Sequence, residues 1–195
     1  IVHGPPSATG VALTFHGAGD PALANQLLAA VEAAHGRVTV LAVGTWLEQN
    51  PQMAKRILDA GHELGNHTYR HLTMPQLSAS VDDSEIMRCA DVLRKLTGSQ
   101  GRWFRPSGTV HATPAILAAA GRAGYANCLS YDVDPSDYAD PGAAKVVSRV
   151  LAGVRPGSIV SLHLGHPGTV QAMPQIMQGL QSRGLAALTM SSLMS

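Results

Sequence analysis

The sequence has few charged and few aromatic residues, and both shortages exclude classes of function. Asp, Glu, Lys and Arg make up 14% of the 195 residues and the formal net charge is +1, so no basic stripe exists that could hold nucleic-acid phosphates. Aromatic residues account for 4%, too few for a long platform on which sugars could stack. No apolar run approaches the ~20 residues of a membrane span. We therefore expect no nucleic-acid partner and no membrane-spanning segment.

Cysteine is equally scarce. Cys89 and Cys128 are the only two, and they lie far apart without the spacing of a metal site. Two cysteines are compatible with two buried thiols or with one disulfide, and the sequence leaves both open.

Short apolar runs, by contrast, are abundant and alternate with helix-like segments. Hydrophobic residues make up 45% of the chain and no shift in composition divides it, so we treat residues 1–195 as a single domain with a sizeable core. About seven strand-like runs alternate with about six amphipathic segments. This alternation predicts an α/β fold with a parallel sheet of about seven strands joined by crossover helices.

Two of the predicted helices carry capping signals. Thr113 and Pro114 precede the run AILAAAGRAG, and a Thr–Pro pair at that place is typical of a helix start. The segment WLEQNPQMAKRILDAG is predicted to be helical, with Asn50 placed to cap a first turn at Pro51.

Titratable side chains collect where the predicted strands end. The stretch VALTFHGAGDP is an apolar run that ends in His16 and, four residues later, Asp20. Parallel α/β folds build their active sites from loops at the carboxyl ends of the strands. The other residues of this kind at or just past predicted strand ends are His67, His71, Arg105, Asp132, Asp134, Asp137 and His163. This clustering is the main indication of function in the sequence.

The stretch GHELGNHTYRH contains a pair of histidines with metal-ligand spacing. His67 and His71 are four residues apart, so one turn of helix would aim both at the same point. Neutral imidazoles bind Zn²⁺ or a similar divalent ion, and such a pair needs a third ligand, either acidic or another histidine. Strand alternation places His62 differently from His67, and we interpret His62 as structural.

Four stretches together resemble the motifs of the polysaccharide deacetylases, carbohydrate esterase family 4. GHELGNHTYRH is similar to the family's second motif, in which a H-[ST]-x-x-H element supplies two metal ligands; here these are His67 and His71. RWFRPSG is similar to the third motif, with Arg105 matching an arginine that orients the catalytic base. VDPSDY and IVSLHLGH are similar to the fourth and fifth motifs and bring Asp137 and His163. The similarity runs from about residue 11 to 190, in the family's order.

The first motif departs from the family pattern. The family reads T-F-D-D-G-P, a base aspartate followed by a metal-binding aspartate, where this chain reads TFHGAGDP. His16 stands in place of the first aspartate, and Asp20 is displaced along the loop. Asp20 also precedes Pro21 and the run ALANQLL, which is the pattern of a helix N-cap. The family's Trp in the fourth motif is replaced by Tyr138.

The resemblance implies a distorted (β/α) barrel and a divalent metal ion, for which we expect Zn²⁺. It implies His67 and His71 as metal ligands with Asp20 as the third, and His16 at the position of the base. Gly17 and Gly19 could let the loop curl Asp20 toward the histidine pair. The reverse assignment, with His16 holding the metal and Asp20 as base, stays open because each residue type can fill either role.

The remaining roles follow from the same resemblance and from the chemistry of acetamide hydrolysis. Arg105 would orient the base, and His163 would be the acid that protonates the leaving nitrogen. Asp137 or Asp134 could hold His163 in the required tautomer, whereas the strand register makes Asp132 the weaker candidate.

The activity implied is metal-dependent removal of N-acetyl or O-acetyl groups from a polysaccharide such as peptidoglycan, chitin oligomers or xylan. Two alternatives stay open: an inactive relative that binds glycan, suggested by the altered first motif, and an amidohydrolase of small N-acyl compounds. We expect a monomer with a polysaccharide or oligosaccharide partner. The chain begins IVHGPPS without a signal peptide, which resembles a processed start and is compatible with export. Because the expected substrate is a cell-wall or extracellular sugar, we expect an exported, extracellular or cell-wall protein.

Overall fold

The structure is a computed structural model that describes residues 1–195. A parallel sheet forms its centre, with strand order β3-β2-β1-β4 and the short β5 beside the first half of β1. The strands are β1 (Gly10–Gly17), β2 (Thr39–Ala42), β3 (Glu63–Asn66), β4 (Ile159–His163) and β5 (Ala186–Leu188). The predicted α/β class with parallel strands is therefore confirmed.

Helices connect the strands and cover the outer face of the sheet. None of them combines the length and the apolar composition needed to cross a bilayer. They are α1 (Pro21–Ala33), α2 (Gly44–Gln49), α3 (Gln52–Asp59), α4 (Ala79–Thr97), α5 (Pro114–Arg122), α6 (Ala143–Gly153), α7 (Pro167–Gln181) and α8 (Met190–Leu193), with single 3₁₀ turns at Met74–Gln76 and Asp137–Ala139.

The predicted number of about seven strands is wrong, because the sheet has five and does not close. Two of the predicted strands, one around Phe104 and one over residues 128–133, form only isolated bridges. These bridges join Asn66 to Phe104, Phe104 to Cys128 and Val133 to Val160. The first of these segments runs directly into Pro106, which has no N–H to continue a ladder. In the second, the N–H of Ser130 donates to the carbonyl of Ile1 instead of to a neighbouring strand. The barrel is therefore distorted and open.

Of the two predicted helix caps, the one at Thr113 is confirmed and the one at Asn50 is wrong. The Thr113 side chain accepts from the N–H of Ile116 at 3.3 Å, so the predicted N-cap of α5 is confirmed. The segment around Asn50 forms two helices, α2 and α3, with a break between them. A residue before proline is pushed out of the helical region, and Asn50 has φ −132° and ψ 60°. Its amide donates to the carbonyl of Trp46 and makes no cap for α3.

Strand alternation separates an outer apolar core from an inner face. Val11, Leu13 and Phe15 of β1 pack in the main core with α1 and α7. The alternate residues of the same strand, among them Thr14 and His16, lie on the opposite face because successive side chains point to opposite sides. Both cysteines are free thiols, so the disulfide alternative is not realised.

The side chain of Glu63, at the amino end of β3, connects three segments of the chain through hydrogen bonds. Its carboxylate accepts from the Thr39 hydroxyl at 2.9 Å, from the Trp103 indole N–H at 2.9 Å and from the backbone N–H of Ser191 at 3.1 Å. One side chain thus joins β2, the segment after α4 and the C-terminal helix α8.

We expect Glu63→Ala to lower the free energy of unfolding by about 1–3 kcal/mol, because it removes the acceptor shared by the Thr39 hydroxyl, the Trp103 indole N–H and the Ser191 N–H. Urea titration measures this change. Asp59→Ala is the matched control, since it removes only an exposed i,i+4 ion pair with Lys55, and we expect a change within about 0.5 kcal/mol. Equal losses in the two variants would contradict a special role for Glu63.

Candidate active site

The carboxyl ends of β1 and β4 bring the first two site residues together. These strands pair in parallel with His16 opposite His163, and the two imidazole ring centroids are 4.3 Å apart. Ser161 lies two residues before His163 on the same face, and its hydroxyl is 3.3 Å from Nε2 of His16. Sequence reasoning missed Ser161, although counting back two residues from His163 along β4 would have found it.

The second pair of histidines lies on the loop that follows β3. We expected a helical turn to align His67 and His71, and that expectation is wrong, because residues 67–73 are irregular. Thr68 and His71 instead have positive φ, 66° and 59°, which folds the loop back on itself. The side-chain carbonyl oxygen of Asn66 accepts a hydrogen bond from the backbone N–H of Thr68 at 2.9 Å, which stabilises the start of this loop.

Three histidines converge at one point. One ring nitrogen from each of His16, His67 and His71 lies within 4.8 Å of the other two. The ring centroids of His16 and His67 are 4.2 Å apart, and those of His67 and His71 are 4.8 Å apart.

The nitrogen atoms of these rings fit a divalent metal ion. Nδ1 of His67 lies 2.9 Å from the carbonyl oxygen of Arg105; a carbonyl only accepts, so Nδ1 carries the proton and Nε2 holds a lone pair. That Nε2, and Nδ1 of His16, are buried without a hydrogen-bond partner. Buried polar atoms are seldom left unpaired, and three imidazoles form a donor set that suits Zn²⁺.

The site favours neutral imidazoles. Burial holds the pKa of His16 well below 6.5, and repulsion from His67 adds to this effect. Burial also holds the pKa of His67 well below 6.5, and repulsion from His71 adds to it. Desolvation also lowers the pKa of His71. Neutral rings are the form in which histidine binds a metal.

Asp20, the expected third ligand, is placed elsewhere. It is exposed at the N-terminus of α1, where its carboxylate accepts from the N–H of Ala22 at 2.8 Å. It therefore acts as the N-cap that its position before Pro21 also indicated, and the structure does not bring it to His67 and His71. His16 occupies the position that sequence reasoning had given to Asp20.

His163 forms a dyad with a buried carboxylate. Nδ1 of His163 lies 2.8 Å from Oδ1 of Asp137, whose Oδ2 accepts from the backbone N–H of His163 at 2.9 Å and from the hydroxyl of Thr169 at 2.7 Å. Asp137 is thereby held rigidly and orients the ring. Asp134 accepts instead from the N–H of Ser136.

Asp132 lies away from the histidines and holds the start of β4 through hydrogen bonds. It accepts from the N–H of Ile159 and from the hydroxyl of Ser158, at the other end of β4 from His163.

Arg105 is buried beneath the three histidines. Its guanidinium donates to the Thr14 hydroxyl at 2.8 Å and to the carbonyl of Ser130 at 3.0 Å, and none of its hydrogen bonds reaches the ring of His16. Burial lowers the pKa of Arg105 to about 9. Its backbone carbonyl, which holds His67, contacts the histidine group directly.

The site opens into a surface pocket of about 390 Å³. Tyr138 forms part of its wall and has 54% of its surface exposed. The residues that line the pocket include His16, His71, Tyr131, Asp134, Tyr138, Ser161 and His163. An open pocket of this kind can admit one unit of a longer chain.

Comparison with known proteins gives a consistent assignment. The family model described as "Polysaccharide deacetylase" matches residues 3–128. A peptidoglycan-N-acetylglucosamine deacetylase of Bacillus cereus is 31% identical over 188 residues, which cover 94% of this chain and 87% of the relative. A chitooligosaccharide deacetylase of a Bradyrhizobium species is 29% identical over 197 residues, covering 89% and 85%.

A solved structure adds a different kind of relative. A carbohydrate esterase family 4 pseudoenzyme from Bacillus anthracis superposes with a TM-score of 0.93 at 25% identity, covering 100% of this chain and 68% of that one. The fold is thus shared by proteins described as enzymes and by one described as a pseudoenzyme.

We predict that His16→Ala loses the metal and that Asp20→Ala keeps it, because His16 lies beside His67 and His71 whereas Asp20 caps α1. Asp20→Ala should cost about 0.5–2 kcal/mol of stability, the usual cost of a lost N-cap. Elemental analysis and Zn²⁺ titration of protein purified without a tag measure the first effect. His67→Ala serves as the positive control. Loss of metal in Asp20→Ala but not in His16→Ala would restore the assignment expected from the sequence.

The lowered histidine pKa values predict a pH dependence for the metal-free chain. Unfolded histidine takes up a proton near pH 6.5, while His16 and His67 stay neutral in the folded chain. The unfolded state then binds more protons at lower pH, so the free energy of unfolding should fall as the pH drops from about 7 to about 5. Denaturant titrations across this range measure it. His67→Asn should reduce the slope, and an unchanged slope in that variant would contradict the prediction.

Proposed function

The chain belongs to the polysaccharide deacetylase family, and we propose that it removes N-acetyl groups from a polysaccharide with a divalent metal ion held by His16, His67 and His71. The observation that carries this proposal is the convergence of three imidazoles, two with buried unpartnered nitrogens, beside the His163–Asp137 dyad. The chemistry that a bound Zn²⁺ ion would supply is Lewis-acid activation of water and of the acyl carbonyl.

His163 is the group that moves protons in this proposal. Its Nδ1–H donates to Asp137, so Nε2 is the atom available to the substrate. An amide nitrogen is a poor leaving group until it is protonated, and Nε2 of the imidazolium supplies that proton. Asp137 stabilises the imidazolium and keeps the ring in place.

With His16 in the metal set, the proton of the attacking water needs another acceptor. His163 lines the pocket and lies outside the three-histidine group, with its ring centroid 4.3 Å from that of His16. We assign both steps to the same atom: Nε2 of His163 accepts the proton from water and then delivers it to the amine.

The substrate class follows from the pocket and from the relatives. The pocket is open and has an exposed aromatic wall at Tyr138, which suits a sugar ring within a chain. Two relatives are named for peptidoglycan N-acetylglucosamine and for chitooligosaccharide. We therefore assign an N-acetylglucosamine-containing glycan as substrate and the cell wall or its surroundings as location, with the protein acting as a monomer.

A second candidate is an inactive relative that binds glycan. Two observations favour it: the first motif contributes no carboxylate to the histidine group, and a pseudoenzyme has the same fold with a TM-score of 0.93. Such a protein would use the same pocket to hold oligosaccharide.

We predict acetate release from chitooligosaccharide and peptidoglycan, abolished by a chelator and restored by Zn²⁺. His163→Ala should keep the metal and lose about 10²-fold or more in turnover, because the proton donor is gone. His166→Ala is the matched control: His166 also pairs with an aspartate, Asp140, but does not line the pocket.

Three other results each have a definite meaning. Oligosaccharide binding without acetate release would establish the inactive relative. Release only from small N-acyl compounds would establish an amidohydrolase. Unchanged turnover in His163→Ala would remove His163 from the chemistry.

A further inference from the structure

The loop between two of the proposed metal ligands is held against α4 at its last residue. Arg70 lies between His67 and His71, and both its backbone N–H and its side-chain Nε donate to Glu85 of α4, each at 2.7 Å. Glu85 is fully buried, with a side-chain exposure of 0%, whereas the Arg70 side chain is 49% exposed. One carboxylate oxygen is therefore used to hold the backbone of the loop.

The same loop is in a conformation that needs such support. Thr68 and His71 both have positive φ, a conformation that residues with side chains keep only when the surrounding structure enforces it. The N–H of Arg70 lies between these two residues. If Glu85 did not accept from it, the loop would lose the bond that holds the residue before His71 against α4.

A second helix supports the loop from the other side. The backbone N–H groups of Gly44 and Thr45 donate to the carbonyls of Thr68 and Tyr69 at 3.0 and 2.9 Å. Gly44 permits this close approach, since a Cβ there would lie 2.7 Å from Cδ2 of Tyr69. These bonds fix the first half of the loop, and Glu85 fixes the part that leads to His71.

We propose that Glu85 is a positioning residue for the metal site: its carboxylate holds the 68–71 loop in the strained conformation that aims His71 at His67 and His16. A surface ion pair with Arg70 alone would contribute little, because solvent screens exposed pairs and holding two long side chains costs entropy. The buried position and the backbone hydrogen bond distinguish Glu85 from such a pair. This proposal rests on the proposed metal site.

The first test uses the metal-free chain and does not depend on metal binding. In Glu85→Ala, the amides of residues 69–71 should exchange with solvent at least tenfold faster than in the wild type, because the N–H of Arg70 has lost its acceptor. Asp83→Ala is the matched control: Asp83 lies on the same helix and accepts two hydrogen bonds from Arg122, but does not touch the loop. Hydrogen exchange read by mass spectrometry or NMR measures both variants.

The second test is Zn²⁺ affinity, measured by competition with a chelating dye. Glu85→Ala should weaken binding about tenfold or more, as is usual when the support of a ligand is removed. Asp83→Ala should stay within about twofold of the wild type. Glu85→Gln keeps an acceptor for the Arg70 N–H and should recover part of the affinity. If Glu85→Ala does not fold, Glu85→Gln is compared with the wild type in both tests, with smaller losses expected in the same directions.

The outcomes separate this proposal from the proposed function. A wild-type chain that binds no Zn²⁺ overturns the metal site, and hydrogen exchange then decides whether Glu85 holds the loop. Unchanged exchange in Glu85→Ala, or equal losses of affinity in the Glu85 and Asp83 variants, overturns the role of Glu85.

Discussion

The parallel pairing of β1 with β4 is the contact on which the site depends. Because the register places His16 opposite His163 and side chains alternate along each strand, both imidazoles emerge on the inner face at the carboxyl ends. Phe15 and Leu162, their neighbours in the chain, enter the main core on the other face. A shift of one residue would exchange these sets and bury the histidines among apolar side chains. The same packing that forms the core therefore also positions the chemistry.

Burial gives the histidine group its chemical character. Desolvation lowers the pKa of His16 and of His67, so the group presents lone pairs instead of positive charges. The hydrogen bond from His67 to the carbonyl of Arg105 directs the remaining lone pair of His67 to the centre of the group. The buried guanidinium of Arg105 adds a positive charge nearby, which further disfavours protonated rings. The three rings therefore present the neutral donor set that the proposed metal ion would need.

Replacing a carboxylate by an imidazole changes what the proposed site can do. Three neutral ligands leave the full charge of a divalent ion uncompensated, whereas an aspartate would cancel one unit of it. A more positive centre polarises a carbonyl more strongly and lowers the pKa of water further. The buried carboxylate next to this group is Asp137, and it is committed to His163 by two hydrogen bonds. In the proposed mechanism proton transfer therefore concentrates on His163, which would distinguish the chain from the family pattern with two aspartates.

The sequence by itself determined the α/β class, the histidines at the strand ends and the roles available to them, since hydrophobic periodicity and residue chemistry are local properties. Motif similarity added the family and drew attention to Asp137 as the partner of His163. Only the tertiary structure decided that His16, and not Asp20, lies with His67 and His71. His16 is the penultimate residue of β1 and Asp20 follows it by four residues, but the carboxylate of Asp20 caps α1 while strand alternation directs His16 inward. The same holds for the strand count and for Glu85: which backbone groups find a partner depends on segments that are distant in sequence, and no local pattern records it.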